Sequence, residues 1–504
     1  MSPSRPSAAG GSSAAPHQRR SPFRRGWIGP AGLAVAVVGI LAIAVAVDPA
    51  RGVTTSGSPF ADEGFNAVNA RNLVLLGRWS TDSWNLFLVD LPFSALLAAV
   101  FQVFGVGIVQ ARLVSIASIG LTVLVLGLGL RRPLGPGPAA VAALAFGTSG
   151  LVLYYGRLVY QEDLVTLCLA AGAVTLVGAA VSGSRLRALA AGILLALAIG
   201  SKPSAAFAVV GIIAALGLAG WRAGPSRSAL LIAIVTIAAA GLVWVGAVWL
   251  PDRTAIDRVV AIWPRFTWPD SAASLATRVL TYAYRNDHAL LLSLPLAIGA
   301  AGGLVAAVRW RSDLQGQARL LAAAATGWLV AGLGILALAS YRPNRYVLPM
   351  LPAAAILLAV GVALVGPRVR ERIPRAAYLA VAALLCVLLA APGLGAYAAW
   401  VVGAPSTAPA IQAQMASVVP PGSVVVGVDS ALFLMRAPVT TIIPWRGIPG
   451  NEGDLYQTAG ARWYLTNGDR TPDTVDLPPG VWAARERIAC ATWFGTLDCL
   501  YRVP

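Results

Sequence analysis

The stretch WIGPAGLAVAVVGILAIAVAV, from Trp27 to Val47, contains no charged side chain, and an acidic pair, Asp62 and Glu63, follows it. An apolar run of this length crosses the ~30 Å hydrocarbon layer of a bilayer as one helix. Similar runs recur along the 504 residues, of which 57% are hydrophobic and only 12% are charged. The sequence therefore predicts a polytopic α-helical membrane protein.

The formal net charge of +17 could suggest a nucleic-acid partner, but its distribution does not. The arginines form short clusters between apolar runs, as the positive-inside rule expects for cytoplasmic loops. No basic stripe with interleaved aromatic residues is present, and nucleic-acid binding requires such a footprint. Membrane lipids are the expected surroundings and nucleic acid is excluded as a partner.

The arginine clusters also set the predicted topology, with the N-terminus cytoplasmic and the C-terminus outside. The apolar stretch 87–104 contains Asp90 and Pro92, and counting it as a span would place Arg131 and Arg132 outside. We therefore expect an interfacial or re-entrant helix there, in the first outer loop. About eleven transmembrane helices remain. They cover 27–47, 108–130, 137–155, 164–181, 186–201, 204–220, 228–250, 288–308, 318–339, 347–365 and 376–398.

Three domains follow from composition. Residues 1–26 are rich in Ser, Pro, Gly and Arg and predict a disordered cytoplasmic tail. Residues 27–399 form the transmembrane domain, and residues 400–504 predict a small extracytoplasmic α/β domain. Its predicted strands are short and β-branched, near 424–426, 439–443 and 463–465.

The spacing of Cys490 and Cys499 in this last domain suits a bridged hairpin, and a disulfide there would require an oxidising compartment.

The acidic pair opens a predicted amphipathic helix, on which Asp62, Asn66 and Asn69 share one side. A carboxylate there could accept a proton from an attacking hydroxyl or hold a metal. It could equally complement the dipole of a helix N-terminus. Spacing alone leaves these alternatives open.

A second acidic pair, Glu162 and Asp163, lies at the predicted outer end of a span, close to Arg157. Carboxylates at such a depth tend to face a water-filled cavity or a partner, and Arg157 could simply pair with Glu162. Lys202, the sole lysine, lies on the same predicted side. It could bind an anionic ligand such as a phosphate, or extend to the lipid headgroups.

Two further arginines on the outer side, Arg342 and Arg345, could bind a phosphate or anionic lipid heads. His288 at an outer boundary has no adjacent ligands, so no metal site is predicted. Nucleotide-binding loops and Ser/His/Asp arrangements are absent from the sequence.

These motifs resemble the C-type glycosyltransferases, the GT-C superfamily, and specifically the family 39 group of protein O-mannosyltransferases and lipid A aminoarabinose transferases. The run DEGFNAVNARNL, residues 62–73, is similar to the first-loop signature of the group. Further similar elements are Leu91-Pro92-Phe93, Ala111-Arg112-Leu113 and Arg345-Tyr346-Val347-Leu348-Pro349. Phe65 departs from the pattern, since many relatives carry Tyr near this position.

The resemblance implies transfer of a sugar from a polyprenyl-phosphate donor to an acceptor glycan, lipid or protein at the outer face of a bacterial plasma membrane. It implies Asp62 as general base, supported by Glu63, and Glu162 as the second acidic position. The substrate-binding positions that it implies are Asp163, Lys202, Arg342, Arg345, Tyr346 and Arg71. No cofactor is required by this scheme, and nothing in the sequence supports a divalent metal.

Three other functions compete with this one. A transporter or flippase of lipid-linked sugars would show related halves and polar groups near the membrane midplane. No internal repeat is present here, and the ionisable residues gather at the ends of spans. A sugar-polymer ligase or polymerase would use the same donors, and a non-catalytic scaffold would make Asp62 and Glu162 replaceable.

Overall fold

The computed structural model describes most of the chain in eleven segments. The segments are residues 28–50, 61–83, 90–220, 224–262, 269–285, 293–339, 343–445, 448, 450–467, 475–493 and 496–504. Within them the protein is mostly helical, with one sheet near the C-terminus.

The helices before residue 343 build most of the bundle. They are α1 (Ile28–Ile43), α2 (Ala61–Leu76), α3 (Leu91–Phe104), α4 (Ile108–Gly129), α5 (Arg131–Leu134), α6 (Pro136–Gly147), α7 (Gly150–Tyr155), α8 (Gln161–Ser182), α9 (Arg185–Ser201), α10 (Ala205–Gly220), α11 (Gly224–Trp244), α12 (Arg253–Ile262), α13 (Ala272–Arg285), α14 (Leu294–Arg309) and α15 (Gly316–Leu338). A π-helical turn, Val245–Trp249, extends α11.

A 3₁₀ segment, Asn344–Met350, leads into the last two long helices, α16 (Leu351–Arg372) and α17 (Arg375–Gly403). Pro352 near the start of α16 is tolerated because the first turn of a helix has no partner for that N–H. The predicted domain boundary at 399/400 falls inside α17, which continues to Gly403.

Six helices are long and apolar enough to cross a membrane, judged by length and composition over the described residues. They lie within 108–134, 161–182, 227–249, 316–338, 344–372 and 375–403. Five shorter apolar helices, α1, α3, α6, α10 and α14, accompany them. Each of the predicted spans overlaps at least one described helix, and the number that cross remains a prediction.

One predicted span, 137–155, is divided into α6 and α7. At the break, the Thr148 hydroxyl bonds back to the Leu144 carbonyl, and Ser149 adopts an extended conformation. Gly393 of α17 lies against this break, and a Cβ atom there would be 2.0 Å from the Thr148 carbonyl oxygen. The backbone of α17 therefore packs directly on the interrupted span.

The C-terminal domain carries a five-stranded sheet with the order β2-β1-β3-β5-β4. Its elements are α18 (Ala408–Val418), β1 (Val424–Val426), α19 (Ser430–Phe433), β2 (Thr440–Ile442), α20 (Leu455–Thr458), β3 (Trp463–Asn467), α21 (Pro479–Ala483), β4 (Glu486–Trp493) and β5 (Thr496–Arg502). Parallel pairing of β1 with β2 and β3, and antiparallel pairing of β5 with β3 and β4, make a mixed sheet. Cys490 and Cys499 are bonded to each other across β4 and β5.

The first loop and the C-terminal domain pack against one another. Ala67 and Ala70 of α2 share a buried cluster with Leu432 and Phe433 of α19. After α2, the Asp82 carboxylate accepts a hydrogen bond from the Ile443 backbone, next to β2. The helix that carries the acidic pair is therefore held by the C-terminal domain.

Candidate functional site

The acidic pair lies in the first turn of α2, where the helix contacts both the bundle and the C-terminal domain. Gly64 permits the second contact, since a Cβ atom there would lie 2.6 Å from the backbone nitrogen of Leu432. Asp62 keeps a quarter of its side-chain surface exposed, whereas Glu63 is fully buried. Of the two carboxylates, Asp62 is therefore the one that a substrate can reach.

Asp62 belongs to a cluster of four charged side chains, each from a separate segment of the chain. Arg345 contacts Asp62 at 2.8 Å and Glu162 at 3.4 Å. The Lys202 ammonium donates a 2.6 Å hydrogen bond to the same Glu162 oxygen that Arg345 approaches. Four of the residues that the sequence predicts for the site thus form one alternating cluster of two carboxylates and two cations.

Aromatic rings complete the surroundings of the two cations. Lys202 Nζ lies 3.9 Å from the centre of the Tyr346 ring, and the Arg345 guanidinium lies 5.0 Å from that of Tyr160. Such faces attract cations and limit their movement. Tyr346, a predicted substrate-binding residue, therefore contacts the cluster through its ring.

Burial dominates the electrostatics of Asp62. Desolvation raises the pKa of this carboxyl above its ordinary value, although the Arg345 guanidinium opposes the effect. The nearby carboxylate of Glu162 raises the pKa further, and Lys202 lowers it. A raised pKa makes the ionised form a stronger base than an exposed aspartate.

Glu63 has a different environment from Asp62. Its carboxylate accepts two hydrogen bonds from Arg112 of α4, at 2.8 and 2.7 Å, and one from the Val159 backbone at 3.0 Å. Arg112 also donates to the carbonyls of Val45 and Val47, beyond α1. Glu63 therefore ties α2 to the bundle, and its predicted role in support of Asp62 stays a prediction.

Sequence reasoning did not single out Arg112 as a partner of Glu63. The available signal was an arginine inside an apolar span, because such a charge needs a partner.

A polar network that the sequence did not predict lies beside the cluster. Asn66, one turn after Asp62, donates to the Val159 carbonyl at 2.7 Å and accepts from Gln161 at 3.3 Å. Gln161 also donates to the buried carboxylate of Asp90 at 2.9 Å. Burial raises the pKa of Asp90 to about 6. The sequence signalled this network only by placing Asn66 on the same side of the helix as Asp62, since the partners of Asn66 are far away in sequence.

The pairing of Arg157 with Glu162, open from sequence, does not form. Arg157 donates to the carbonyls of Ala44, Val47 and Asp48 and stacks on Trp400 at 4.4 Å. The loop after α1 and the last long helix are joined by this arginine, and Glu162 is left to Lys202 and Arg345.

Asp163 is fully buried beside Ser115 of α4. Its predicted substrate-binding role stays a prediction.

Arg71 is fully buried at the contact with the C-terminal domain. Its guanidinium donates to the carbonyls of four residues that follow α19, namely Leu434, Met435, Ala437 and Val439. It also donates to Asn72 at 2.6 Å, and burial lowers its pKa to about 10. The substrate-binding role of Arg71 stays a prediction. The N–H groups with which Arg71 would bind a substrate already donate hydrogen bonds within the protein.

Arg342 and His288 lie outside the described residues. Over the part of the chain that the structure does describe, no three His, Cys, Asp or Glu side chains are grouped so as to hold a metal ion.

Comparison with known families gives a match over part of the chain. Residues 91–249 match the family described as dolichyl-phosphate-mannose-protein mannosyltransferase. This range contains Glu162 and Lys202 of the cluster, and Asp62 and Arg345 lie outside it. No curated protein sequence matches the chain.

Solved structures share the fold along nearly the whole chain. ArnT from Cupriavidus metallidurans bound to undecaprenyl phosphate is 16% identical, with a TM-score of 0.63 over 94% of this chain and 98% of that one. Its apo structure gives a TM-score of 0.64 at 16% identity, over 93% and 97% of the two chains.

The archaeal oligosaccharyltransferase AglB from Archaeoglobus fulgidus, in complex with an inhibitory peptide and a dolichol-phosphate, is more distant. It is 12% identical, with a TM-score of 0.53 over 87% of this chain and 69% of that one. The family match covers residues 91–249, and the solved structures show that the chain has the fold of ArnT along nearly its whole length.

Proposed function

We propose that this chain is a membrane glycosyltransferase of the C type, family 39 group, which moves a sugar from a polyprenyl-phosphate donor to a hydroxyl of an acceptor, with Asp62 as general base. The observation that carries the proposal is the position of Arg345 between Asp62 and Glu162, with Lys202 bound to the same Glu162 oxygen that Arg345 approaches. A base and two cations in one cluster are the groups that such a transfer needs.

The reaction is a displacement at the anomeric carbon of the donor sugar. Asp62 accepts the proton of the acceptor hydroxyl while the hydroxyl oxygen attacks that carbon. The bond from the anomeric carbon to the phosphate oxygen breaks, and its electron pair leaves with the lipid phosphate. The products are the glycosylated acceptor, the lipid phosphate and a proton on Asp62.

Arg345 and Lys202 are the groups proposed to receive the phosphate. Guanidinium and ammonium groups stabilise the negative charge that grows on a leaving phosphate oxygen. A phosphate that binds Arg345 competes with the Asp62 carboxylate for the guanidinium group. Since Arg345 lowers the pKa of Asp62, withdrawal of the guanidinium raises that pKa and strengthens the base.

The fold relatives support the class of donor lipid. The ArnT structure contains undecaprenyl phosphate and the AglB structure contains a dolichol-phosphate, both of which are polyprenyl phosphates. We propose the same class for this chain, with transfer at the outer face of a bacterial plasma membrane. The acceptor class is a hydroxyl-bearing glycan, lipid or protein.

A transfer assay tests the proposal. Full-length protein in vesicles is supplied with radiolabelled polyprenyl-phosphate sugars and with membrane extract as the source of acceptors. Asp62→Asn removes the base and should lower the transfer rate by about 10²- to 10⁴-fold. Asp313→Asn, which removes an exposed carboxylate from the loop between α14 and α15, is the matched control and should keep the wild-type rate.

Two results would count against the proposal. A folded Asp62→Asn variant with full activity would refute the general-base role. Movement of the intact donor across the membrane by the wild type, with no sugar consumed, would favour the transporter alternative.

A further inference from the structure

A cleft of about 840 Å³ lies between α6, α14, α16 and α17. Its lining includes Arg370, near the end of α16, whereas Arg345 of the candidate site lies in the 3₁₀ segment that leads into the start of this helix. The 22 residues of α16 span about 33 Å at 1.5 Å per residue. The cleft is therefore separate from the Asp62 cluster.

The cleft exists because its helices pack unequally. α14 and α16 are in direct backbone contact, since a Cβ atom at Gly303 would lie 1.9 Å from the Leu357 carbonyl oxygen. α17 buries only Leu389, Gly393 and Tyr397, all in its second half. Its first half thus lies apart from α16, and the space between them forms the cleft.

The walls of the cleft are apolar and smooth. Leucine, valine and glycine residues form most of the lining, which includes Leu358, Val362, Leu385 and Gly302. A Cβ atom at Gly302 would meet no other atom within 4 Å, so this glycine faces open space. A lipid chain matches such a surface, because it fills irregular apolar space without needing polar partners.

One end of the cleft is polar and mainly basic. Arg370 and Tyr378 line it together with one acidic residue, Glu371. Further arginines on the adjoining helix ends add positive charge, namely Arg131, Arg132, Arg309, Arg372 and Arg375, whereas Arg368 is paired with Asp313. Basic pockets between membrane helices with an apolar interior suit the head group of an anionic lipid.

We propose that this cleft binds an anionic phospholipid, with its acyl chain along the glycine-lined walls and its phosphate at Arg370 and the Tyr378 hydroxyl. The charge at the polar end selects an anionic head group over a zwitterionic one. The apolar interior selects a lipid over a soluble phosphate. Binding at this site does not depend on the proposed transfer reaction.

Lipid retention by the full-length protein tests the site. Protein purified from vesicles of phosphatidylcholine with phosphatidylglycerol is examined by native mass spectrometry for the lipid that remains bound. Arg370→Gln should weaken phosphatidylglycerol retention about fivefold, since one basic group near a membrane surface contributes about 1 kcal/mol. Arg311→Gln, an exposed arginine at the same end but outside the cleft, is the matched control.

A second variant tests the apolar interior. Gly302→Leu places a side chain in the cleft, where its Cβ atom would meet no other atom within 4 Å, and should abolish retention. Gly217→Leu, on α10, also meets no atom within 4 Å and should leave retention unchanged.

Cys386 provides an independent readout because it is a free cysteine in the cleft lining. The other free cysteine, Cys168, is buried, and Cys490 and Cys499 are bonded to each other. Phosphatidylglycerol should slow maleimide labelling of Cys386, and phosphatidylcholine should not. Equal protection by both lipids, equal effects of Arg370→Gln and Arg311→Gln, or full retention by Gly302→Leu would each overturn the proposal.

Discussion

Glu63 and Arg112 form a fully buried two-point ion pair, one residue after the proposed catalytic base. The pair joins the first turn of α2 to α4, and Arg112 continues the connection to the carbonyls of Val45 and Val47. Asp62 thus lies next to a buried anchor in the chain. Its own side chain contacts Arg345 and stays partly exposed.

Breaking this pair should destabilise the whole protein. Arg112→Met leaves the Glu63 carboxylate buried without its counter-ion, which costs about 3–5 kcal/mol. The thermal midpoint in detergent should therefore fall steeply. Adding Glu63→Gln removes the stranded charge, so the double variant should recover part of the loss. Strictly additive losses would show that the two side chains act independently.

The pH dependence of transfer should follow the carboxyl of Asp62. The protonated carboxyl cannot accept a proton, so kcat/KM should fall as the pH drops through its pKa. Burial raises that pKa above the ordinary 3.8, which places the loss at higher pH than for an exposed aspartate. Arg345→Gln removes the charge that lowers the pKa most, and should shift the acid limb further toward neutral pH.

Measuring kcat/KM against pH for the wild type, Arg345→Gln and Lys202→Gln checks these shifts of the acid limb. Lys202→Gln should shift the acid limb in the same direction but by less, because Lys202 has the weaker effect on Asp62. An acid limb that does not move in Arg345→Gln would separate the rate from the ionisation of Asp62.

The sequence predicted the fold class and the four residues of the cluster, because apolar runs and short motifs are local patterns. Apolar runs mark the helices, and the resemblance carried Asp62, Glu162, Lys202 and Arg345 into one site. The anchoring roles were not predictable in this way. Arg71 binds carbonyls more than 360 positions later in the chain, and periodicity carries no information about such a partner.

Arg71 offers a test between a structural role and the substrate-binding role that the resemblance implies. Arg71→Met removes the donors from four buried carbonyls, and each unpaired group costs about 1–3 kcal/mol. We expect a large loss of thermal stability, and faster proteolytic release of the C-terminal domain. A variant of wild-type stability with a raised KM for the donor would instead support substrate binding.

Gly64 lets α2 pack against the backbone of the C-terminal domain, and Gly64→Ala should move one away from the other. The added Cβ atom would lie 2.6 Å from the Leu432 nitrogen, and backbone at this distance cannot yield as a flexible side chain does. Overpacking of this kind costs about 1–3 kcal/mol. Because Asp62 lies two residues away, the transfer rate should fall by more than the loss of folded protein explains. Gly395→Ala, where a Cβ atom meets open space on α17, should change neither stability nor rate. A Gly64→Ala variant with wild-type rate and stability would show that the C-terminal domain does not position the base.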